Sequence, residues 1–431
     1  MARSTPSSRQ AAARHVRGRR PGPVAAVLRV LAICMAVVLV SGASVVAYAA
    51  WDIGSGISDN SVELSGGDDP ANAPHLGIGE FDGPINMLVI GADDDANQDA
   101  SVYGQRDVAL NDVNLLVHVA ADHQSAVVVS FPRDLVIPIP ACTDPETGET
   151  QPEEYAGMIN SAFAKGGKKG GLNCAVLTVE ALTGIDVDFG AQFTFDSVKQ
   201  LTNAIGGVEV CLQEPIFDRY SGLDLPEGVS TVEGEQALQF LRTRKAVGDG
   251  SDLSRIALQQ MYMSSLVKKL QSDGTLGDVT KLYGIAKVAA ESVSLSSNLA
   301  NINTMISMAL TVKDLDLDKI QLVQYPVGTS PSNPNRVVPV EDTAEQLMAA
   351  IKADASFSSD PDARRVGVED TSTDEPADPE APADPETPAD PGSTPPPDAG
   401  TPGGTATPPT DGVISGLVGQ SAAQESCVVK N

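Results

Sequence analysis

Three short apolar runs, at 87–90, 113–119 and 126–131, constrain this chain more than anything else in it. Each is mostly aliphatic, each is bounded by polar residues, and each reads as a buried strand. Asp93 follows the first run closely, and Asp112 directly precedes the second. The third ends in Pro132-Arg133-Asp134. With the strands side by side, their ends bring Asp93, Asp112 and Arg133 together. Carboxylates beside an arginine suit a divalent cation holding a phosphate: hard cations take oxygen ligands, and a guanidinium grips phosphate with paired N–H bonds. The same residues also suit a blander role. Acids at strand ends are ordinary turn residues, and Arg133 is equally suited to an ion pair with Asp134 or another acid. Asp94 and Asp95 compete with Asp93 as ligands.

At 431 residues there is room for one large domain or two ordinary ones, and 42% apolar content is enough for a core. The formal charge of −28 is unevenly placed. The first 50 residues hold seven arginines and no acid, so the rest carries 22 basic and 57 acidic residues, a net of −35. A body this acidic, without a basic run, repels nucleic acid. The arginines at 3, 9, 14, 17, 19, 20 and 29 precede a 21-residue uncharged and mostly apolar stretch, 30–50. That length matches a membrane-spanning helix, and arginines on its N-terminal side place that end in the cytoplasm and the body outside. Ala47-Tyr48-Ala49 resembles a signal-peptide cleavage site, but the apolar stretch is long for a signal peptide, which favours a retained anchor. An extracytoplasmic body permits disulfides. Outside the anchor stand Cys142, Cys174, Cys211 and Cys427, which allow three pairings, and no CxxC pair suggests zinc.

The expected organisation is a basic N-terminus (1–29), a transmembrane helix (30–50), a Gly/Asp/Asn/Ser-rich stalk (51–84), a globular domain (85–357), a Pro/Asp/Glu/Thr-rich disordered linker (358–412) and a short apolar segment (413–431). Cys427, beyond such a linker, is expected to be tied back to the body. Within the domain, 142–154 reads as a polar loop. A short helix at 158–164 is broken by Gly166 to Gly171, and a helix at 172–182 ends before Gly184, a C′ glycine. A strand at 187–193, a helix at 195–205 and a strand at 208–212 follow. Next come a helix at 231–245 and a long helix to about 271 capped by Ser251 or Asp252. Helices near 278–292 and 298–312, a strand at 320–325 and a helix at 343–353 complete the domain.

Arg242 and Arg244 close one helix, and Arg255 stands in the first turn of the next, where backbone N–H groups already favour anions. Three arginines within fourteen residues are unusual in so acidic a body, although a solvated charged helix end has the same composition. Little else competes. There is no G-x-S-x-G, Walker A or H-E-x-x-H motif, and His118, inside a strand, is more often a packed histidine than a base.

With these residues in hand, the chain resembles the LytR-CpsA-Psr family of cell-wall glycopolymer ligases, best over 86–270 and more weakly to about 353. Six elements recur in order: Ile90-Gly91-Ala92-Asp93; Leu110-Asn111-Asp112-Val113; Ser130-Phe131-Pro132-Arg133-Asp134; Met158-Ile159-Asn160 with Phe163, Gly166 and Gly167; Gly206 to Val210; and Gly234 to Arg244 followed by Asp252-Leu253-Ser254-Arg255 and Gln259. The resemblance implies an α/β fold with a mixed central β-sheet flanked by helices. It also implies a phosphotransferase that moves a glycopolymer from a polyprenyl-pyrophosphate carrier to a hydroxyl of peptidoglycan or of a glycosylated surface protein. Asp93 and Asp112 would then hold Mg²⁺ (or Mn²⁺). Arg133, Arg242, Arg244, Arg255, Gln259 and Asn160 would bind the pyrophosphate, with Asp93, Asp112, Arg133, Arg242 and Arg244 forming the catalytic set. The four outer cysteines resemble a disulfide-bearing actinobacterial subgroup, and by order Cys142 pairs with Cys174 and Cys211 with Cys427.

This chain also departs from the family pattern. Asp95 replaces an arginine, for which Arg106 is a substitute; Leu110-Asn111 replaces Arg-Ser; Met158 replaces a lysine; Leu258 replaces an arginine; and the loop between Asp93 and Asp112 is long. These departures keep two other classes in play: a hydrolase with the same site, and a non-catalytic wall-binding or regulatory protein.

Overall fold

In the computed structural model, the structure describes residues 61–65, 81, 83–92, 109–272, 274–363, 365–371 and 412–430. The expected membrane helix at 30–50, residues 372–411 of the linker expected over 358–412, and the segment containing Asp93, Asp94, Asp95 and Arg106 lie outside the described residues. The start of that linker is folded, with Val368–Asp370 a strand, and Ser61–Val62 in the expected stalk is a strand as well. Among the described residues, no helix is long and apolar enough to cross a membrane.

Eight strands form the main sheet: β1 (Ser61–Val62), β2 (Ile85–Ala92), β3 (Asn111–Val119), β4 (Ala126–Ser130), β5 (Phe189–Phe193), β6 (Ser294–Ser296), β7 (Ile320–Gln324) and β8 (Gly419–Ser421). Their spatial order is β1-β6-β5-β2-β3-β4-β7-β8. The sheet is mixed. The pairs β2–β3 and β3–β4 are antiparallel, whereas β5 runs parallel to β2 and β7 parallel to β4. The three apolar runs read from the sequence are thus its centre.

Both faces of this centre are covered, which is why the strands are nearly continuous apolar runs. Every residue of β4 is buried. Val127 and Val129 point into one core and Ala126 and Val128 into another, as the two-residue strand period requires. The first core packs against α1 (Gly167–Thr183) through Leu172, Val176 and Val179, and against the later helix Glu341–Lys352 through Leu347, Met348 and Ile351. The second packs beneath Leu295, Leu299, Leu315 and the partly buried Met305 and Met308.

Downstream of β5, α2 (Phe195–Ile205) starts with a reciprocal capping box between Thr194 and Ser197. Helices α3 (Gly234–Arg242) and α4 (Asp252–Ser272) then cover a second, four-stranded sheet. Its order is Gly228–Val232, Val208–Leu212, Ser426–Val428, Val368–Asp370. Val208, Val210, Leu212, Phe240, Leu258 and Val428 form its core.

Several local expectations are corrected. A short helix, Ala162–Lys165, does end at Gly166, but the glycines that follow do not break the chain's helical course: α1 begins at Gly167 and runs through Gly170 and Gly171. A Cβ on Gly171 would meet the Phe163 ring at 2.6 Å, so this glycine allows close packing. Gly184 does close α1, with φ 62°. The helix expected over 231–245 starts at Gly234, because Thr231 and Val232 pair with Glu209 and Val208 as strand residues. The polar 142–154 loop contains a small hairpin, Cys142–Thr143 with Thr150–Gln151. The segment 412–430 does more than attach by a disulfide. It supplies β8 to the main sheet and a strand to the second sheet, and buries Ile414, Leu417, Ala422 and Val428 completely.

Two disulfides are present, Cys142–Cys174 and Cys211–Cys427, separated by 32 and 216 residues. The first ties the small hairpin to α1. The second ties the C-terminal strand to its neighbour.

Candidate active site

The site begins with a register. Leu115 on β3 pairs with Ser130 on β4 in antiparallel fashion. Asp112 lies three residues before Leu115 and Arg133 three after Ser130, so both emerge at the same end of the sheet. The start of β3 is fixed by asparagines. Asn111, fully buried, donates through its side-chain amide to Asn114 Oδ1, and its Oδ1 accepts the Phe163 N–H at 3.3 Å. Asn114 returns a bond to the Asn111 carbonyl at 3.1 Å. Asp112 is therefore presented from a rigid strand end. Arg133 Nη1 donates to it, 3.2 Å from both Oδ1 and Oδ2.

The second contribution comes from the first turn of α4. Ser251 caps this helix, its Oγ accepting the Ser254 N–H at 3.3 Å, which leaves the Asp252 carboxylate available for other partners. Asp252 Oδ1 lies 2.6 Å from Arg255 Nη2 and 3.4 Å from Arg133 Nε, and its Oδ2 accepts the Arg133 backbone N–H at 3.3 Å. Arg255 Nη2 also donates to the Asp112 carbonyl at 2.8 Å. Asp112, Arg133, Asp252 and Arg255 thus form a closed ring of charge-assisted contacts joining the strand ends to α4.

Burial decides how each charge behaves. Burial pushes the Asp252 carboxyl above its usual range, against the pull of Arg255 and Arg133. Burial also lowers Arg255, with Asp252 opposing it. For Arg133, burial works downward but is outweighed by Asp112, Asp252 and Asp134, so its guanidinium is held still more firmly charged. Four buried polar atoms here, Arg133 Nε, Arg255 Nε, Asp252 Oδ1 and Asn160 Oδ1, make no hydrogen bond of sound geometry. Capacity of this kind is concentrated where a ligand's oxygens and donors would complete it.

Of the remaining described sequence candidates, Arg244, Arg242 and Gln259 have partners of their own. Arg244 follows α3, its backbone N–H donating to Asp218 Oδ2 at 3.4 Å, and its charge reaches Arg255. Arg242 stacks over the Phe195 ring, 4.5 Å from its centroid. Gln259, one turn beyond Arg255, donates to the Leu241 carbonyl at 3.2 Å. Asn160 is buried beside β3 in the short helical turn Ile159–Ser161. Asp93 lies outside the described residues, just past the end of β2.

Three contributors were absent from the sequence-based set. Asp252 was legible as an i,i+3 partner of Arg255. Asp134 and Arg336 pair at 2.8 Å across about 200 positions, a contact with no local signal.

A divalent cation needs oxygen ligands. Among the described residues no group of three His, Cys, Asp or Glu side chains is placed to hold a metal. Asp252 is buried between two arginines, whereas Asp112 is about one-quarter exposed and pairs with Arg133, which makes it the more open of the two carboxylates of the ring. One carboxylate plus substrate oxygens fits the way Mg²⁺ is commonly held at phosphates.

A mixed, doubly covered sheet with an arginine–carboxylate ring at one end of its central strands defines an α/β protein suited to anionic ligands. The LytR_cpsA_psr family model matches residues 57–353, more than half of the chain, and the chain belongs to that family. The cell wall biosynthesis protein LcpA of Corynebacterium glutamicum is 28% identical over 316 residues, covering 68% of this chain and 58% of LcpA. The chain therefore spans less than two thirds of that relative. The polyisoprenyl-teichoic acid–peptidoglycan teichoic acid transferase TagT of Bacillus subtilis is 26% identical over 307 residues, covering 69% of this chain and 85% of TagT. Among solved structures, protein gbs0355 of Streptococcus agalactiae superposes with a TM-score of 0.50 at 21% identity, covering 64% of this chain and 89% of that one. It shares the fold.

Proposed function

We propose that this protein is a membrane-anchored, extracytoplasmic phosphotransferase that moves a glycopolymer from a polyprenyl-pyrophosphate carrier to a hydroxyl of peptidoglycan or a glycosylated surface protein. The observation that carries the reading is the ring of Asp112, Arg133, Asp252 and Arg255 at the strand ends. Membership of the family and likeness to LcpA, a cell wall biosynthesis protein, and TagT, a teichoic acid transferase, support it. The apolar stretch 30–50 behind seven arginines supports the anchor, which would keep the body near a lipid carrier and raise the effective concentration of both.

In this reading the acceptor oxygen bonds to the phosphorus bearing the glycopolymer. The bond from that phosphorus to the bridging oxygen breaks, and polyprenyl phosphate leaves. The hydroxyl proton passes to a carboxylate, Asp112 or Asp93. Arg133, with Arg242, Arg244 and Arg255, balances the charge that accumulates on the leaving phosphate. Phosphoryl transfer depends mainly on positioning and electrostatics, so a site without a histidine base is adequate. Asp112 and Asp93 would hold Mg²⁺ or Mn²⁺, which when bound supplies charge neutralisation at the pyrophosphate oxygens. Asn160 and Gln259 would orient those oxygens.

The test is turnover of a short polyprenyl-pyrophosphate-linked saccharide by the purified chain with wall glycan as acceptor. Arg133→Ala should lower transfer by about 10²-fold or more, the usual cost of deleting a charge-stabilising donor, while the protein remains folded. Normal transfer by that variant would refute the assignment. Free saccharide phosphate in place of an adduct would mark a hydrolase, and tight donor binding without turnover a non-catalytic binder.

A further inference from the structure

Arg336 stands far from the site residues in sequence and beside them in space. It lies on the hairpin formed by Val327–Ser330 and Asn333–Pro339. That hairpin is clipped to the segment following β4: the Val337 N–H donates to the Asp134 carbonyl at 3.2 Å, and Leu135 bridges to Val337. Arg336 Nη1 is thereby delivered 2.8 Å from Asp134 Oδ1, while Asp134 Oδ2 lies 3.9 Å from Arg133 Nε. One carboxylate sits between two guanidiniums.

The arginines of the ring are heavily committed. The Arg255 side chain is only 10% exposed and is bound to Asp252 and the Asp112 carbonyl. Arg133 faces three carboxylates. Turning either toward a new anion would strip a partner from a largely buried acid, which is costly. Arg336 differs. Its side chain is 33% exposed, and Asp134 is the carboxylate it holds. This pair is better solvated than Arg255–Asp252, at 33% and 25% exposure against 10% and 7%, so exchanging Asp134 for a phosphate oxygen costs less than it would there. Asp134 would not be left bare either, because Arg133 Nε is a buried donor without a hydrogen-bond acceptor and Asp134 Oδ2 already lies nearby.

We propose that Arg336 is a further phosphate-binding residue of this site, resting on Asp134 in the free protein and turning onto a phosphate oxygen of a bound pyrophosphate, while Asp134 swings toward Arg133. The inference rests on the pyrophosphate reading of the site given above. It adds a cation from a hairpin outside the six sequence elements.

Calorimetric titration of the full chain with farnesyl pyrophosphate and Mg²⁺ tests it. Arg336→Gln should weaken binding about tenfold, the order expected for losing one charge-assisted hydrogen bond. Arg336→Lys should recover part of the loss, because it keeps the charge but not the planar fork. Asp134→Asn breaks the same ion pair but frees Arg336, and should tighten binding about threefold, a change well below one full charge-assisted bond. If Arg336 merely braces its hairpin, Arg336→Gln and Asp134→Asn will share one phenotype: a lower melting temperature and equally weakened binding. That result overturns the proposal, as does wild-type affinity in Arg336→Gln. Arg133→Ala separates the two levels. If it abolishes binding while Arg336→Gln does not weaken it, Arg336 alone is misassigned. If neither variant alters binding, or the wild type does not bind, the pyrophosphate reading falls and this inference with it.

Discussion

The Cys211–Cys427 disulfide offers a quantitative test of how the C-terminal segment is held. A cross-link stabilises largely by shrinking the unfolded ensemble, and the effect grows with the logarithm of the enclosed loop. A separation of 216 residues corresponds to about 5.4 kcal/mol, and the 32 residues of Cys142–Cys174 to about 3.7 kcal/mol. Their difference, about 1.7 kcal/mol, depends only on the ratio of loop lengths. Paired Cys→Ala variants isolate the cross-links without burying new hydroxyls. Guanidinium denaturation with linear extrapolation should show Cys211→Ala/Cys427→Ala losing the larger amount, with a steeper slope because its unfolded state is less compact. The segment should nevertheless stay docked under native conditions. Val428 is fully buried between two strands, and Ser264 Oγ still bonds the Ala422 carbonyl at 2.6 Å. Its Val429 carbonyl also accepts the Gly248 N–H at 3.3 Å, in the turn that leads to Asp252. If the long-loop pair costs no more than the short-loop pair, the chain-entropy reasoning is wrong here. If its removal releases the segment, the packing argument fails instead.

Two smaller predictions follow from the packing and the site. Gly171→Val should destabilise by about 1–3 kcal/mol, as overpacking does, because a Cβ there already meets the Phe163 ring at 2.6 Å; the shift in melting temperature reads it. Asp252 carries a pH signature. Its folded carboxyl titrates above the unfolded value, so the native state binds the proton more tightly. Stability from this group is therefore greatest below the ordinary carboxylate range and falls as pH rises through the higher folded value. Relative to wild type, Asp252→Asn should gain stability across that window, and denaturation at stepped pH will show an opposite slope if burial does not dominate.

Much of this architecture was legible because its signals are local. The aliphatic runs of β2, β3 and β4 needed only their composition and boundaries, and the register Leu115–Ser130 then carried Asp112 and Arg133 to one end. Gly184 and Gly206 closed their helices as glycines do when left-handed backbone is required. The misreadings share a cause. Gly170 and Gly171 look like breakers but serve contact with the elements packed on α1, and Thr231–Val232 looked helical until its partner Glu209–Val208 was known. Neither is encoded within a helix-length window. The same holds for Asp134 and Arg336, whose association exists only after β7 has docked beside β4 and the following hairpin has folded back. The short strands at 419–421 and 426–428 follow a linker of low-complexity composition, and nothing in their own residues signals that they belong to two different sheets.

The place of Ser426–Val428 in the second sheet has a consequence for how the molecule is made. This strand is interior: Val428 pairs with Leu212 on one side and with Val368 on the other. Synthesis proceeds from the N-terminus, so Val208–Leu212 and Val368–Asp370 emerge long before the strand that joins them. Until it arrives, each presents an unpaired edge, a surface that invites pairing with other chains. The second sheet, and with it the wall behind α4, can close only after translation has passed residue 428. For a chain whose body lies outside the membrane, as proposed above, completion of the body then belongs to the far side, where the Cys211–Cys427 bond can seal it.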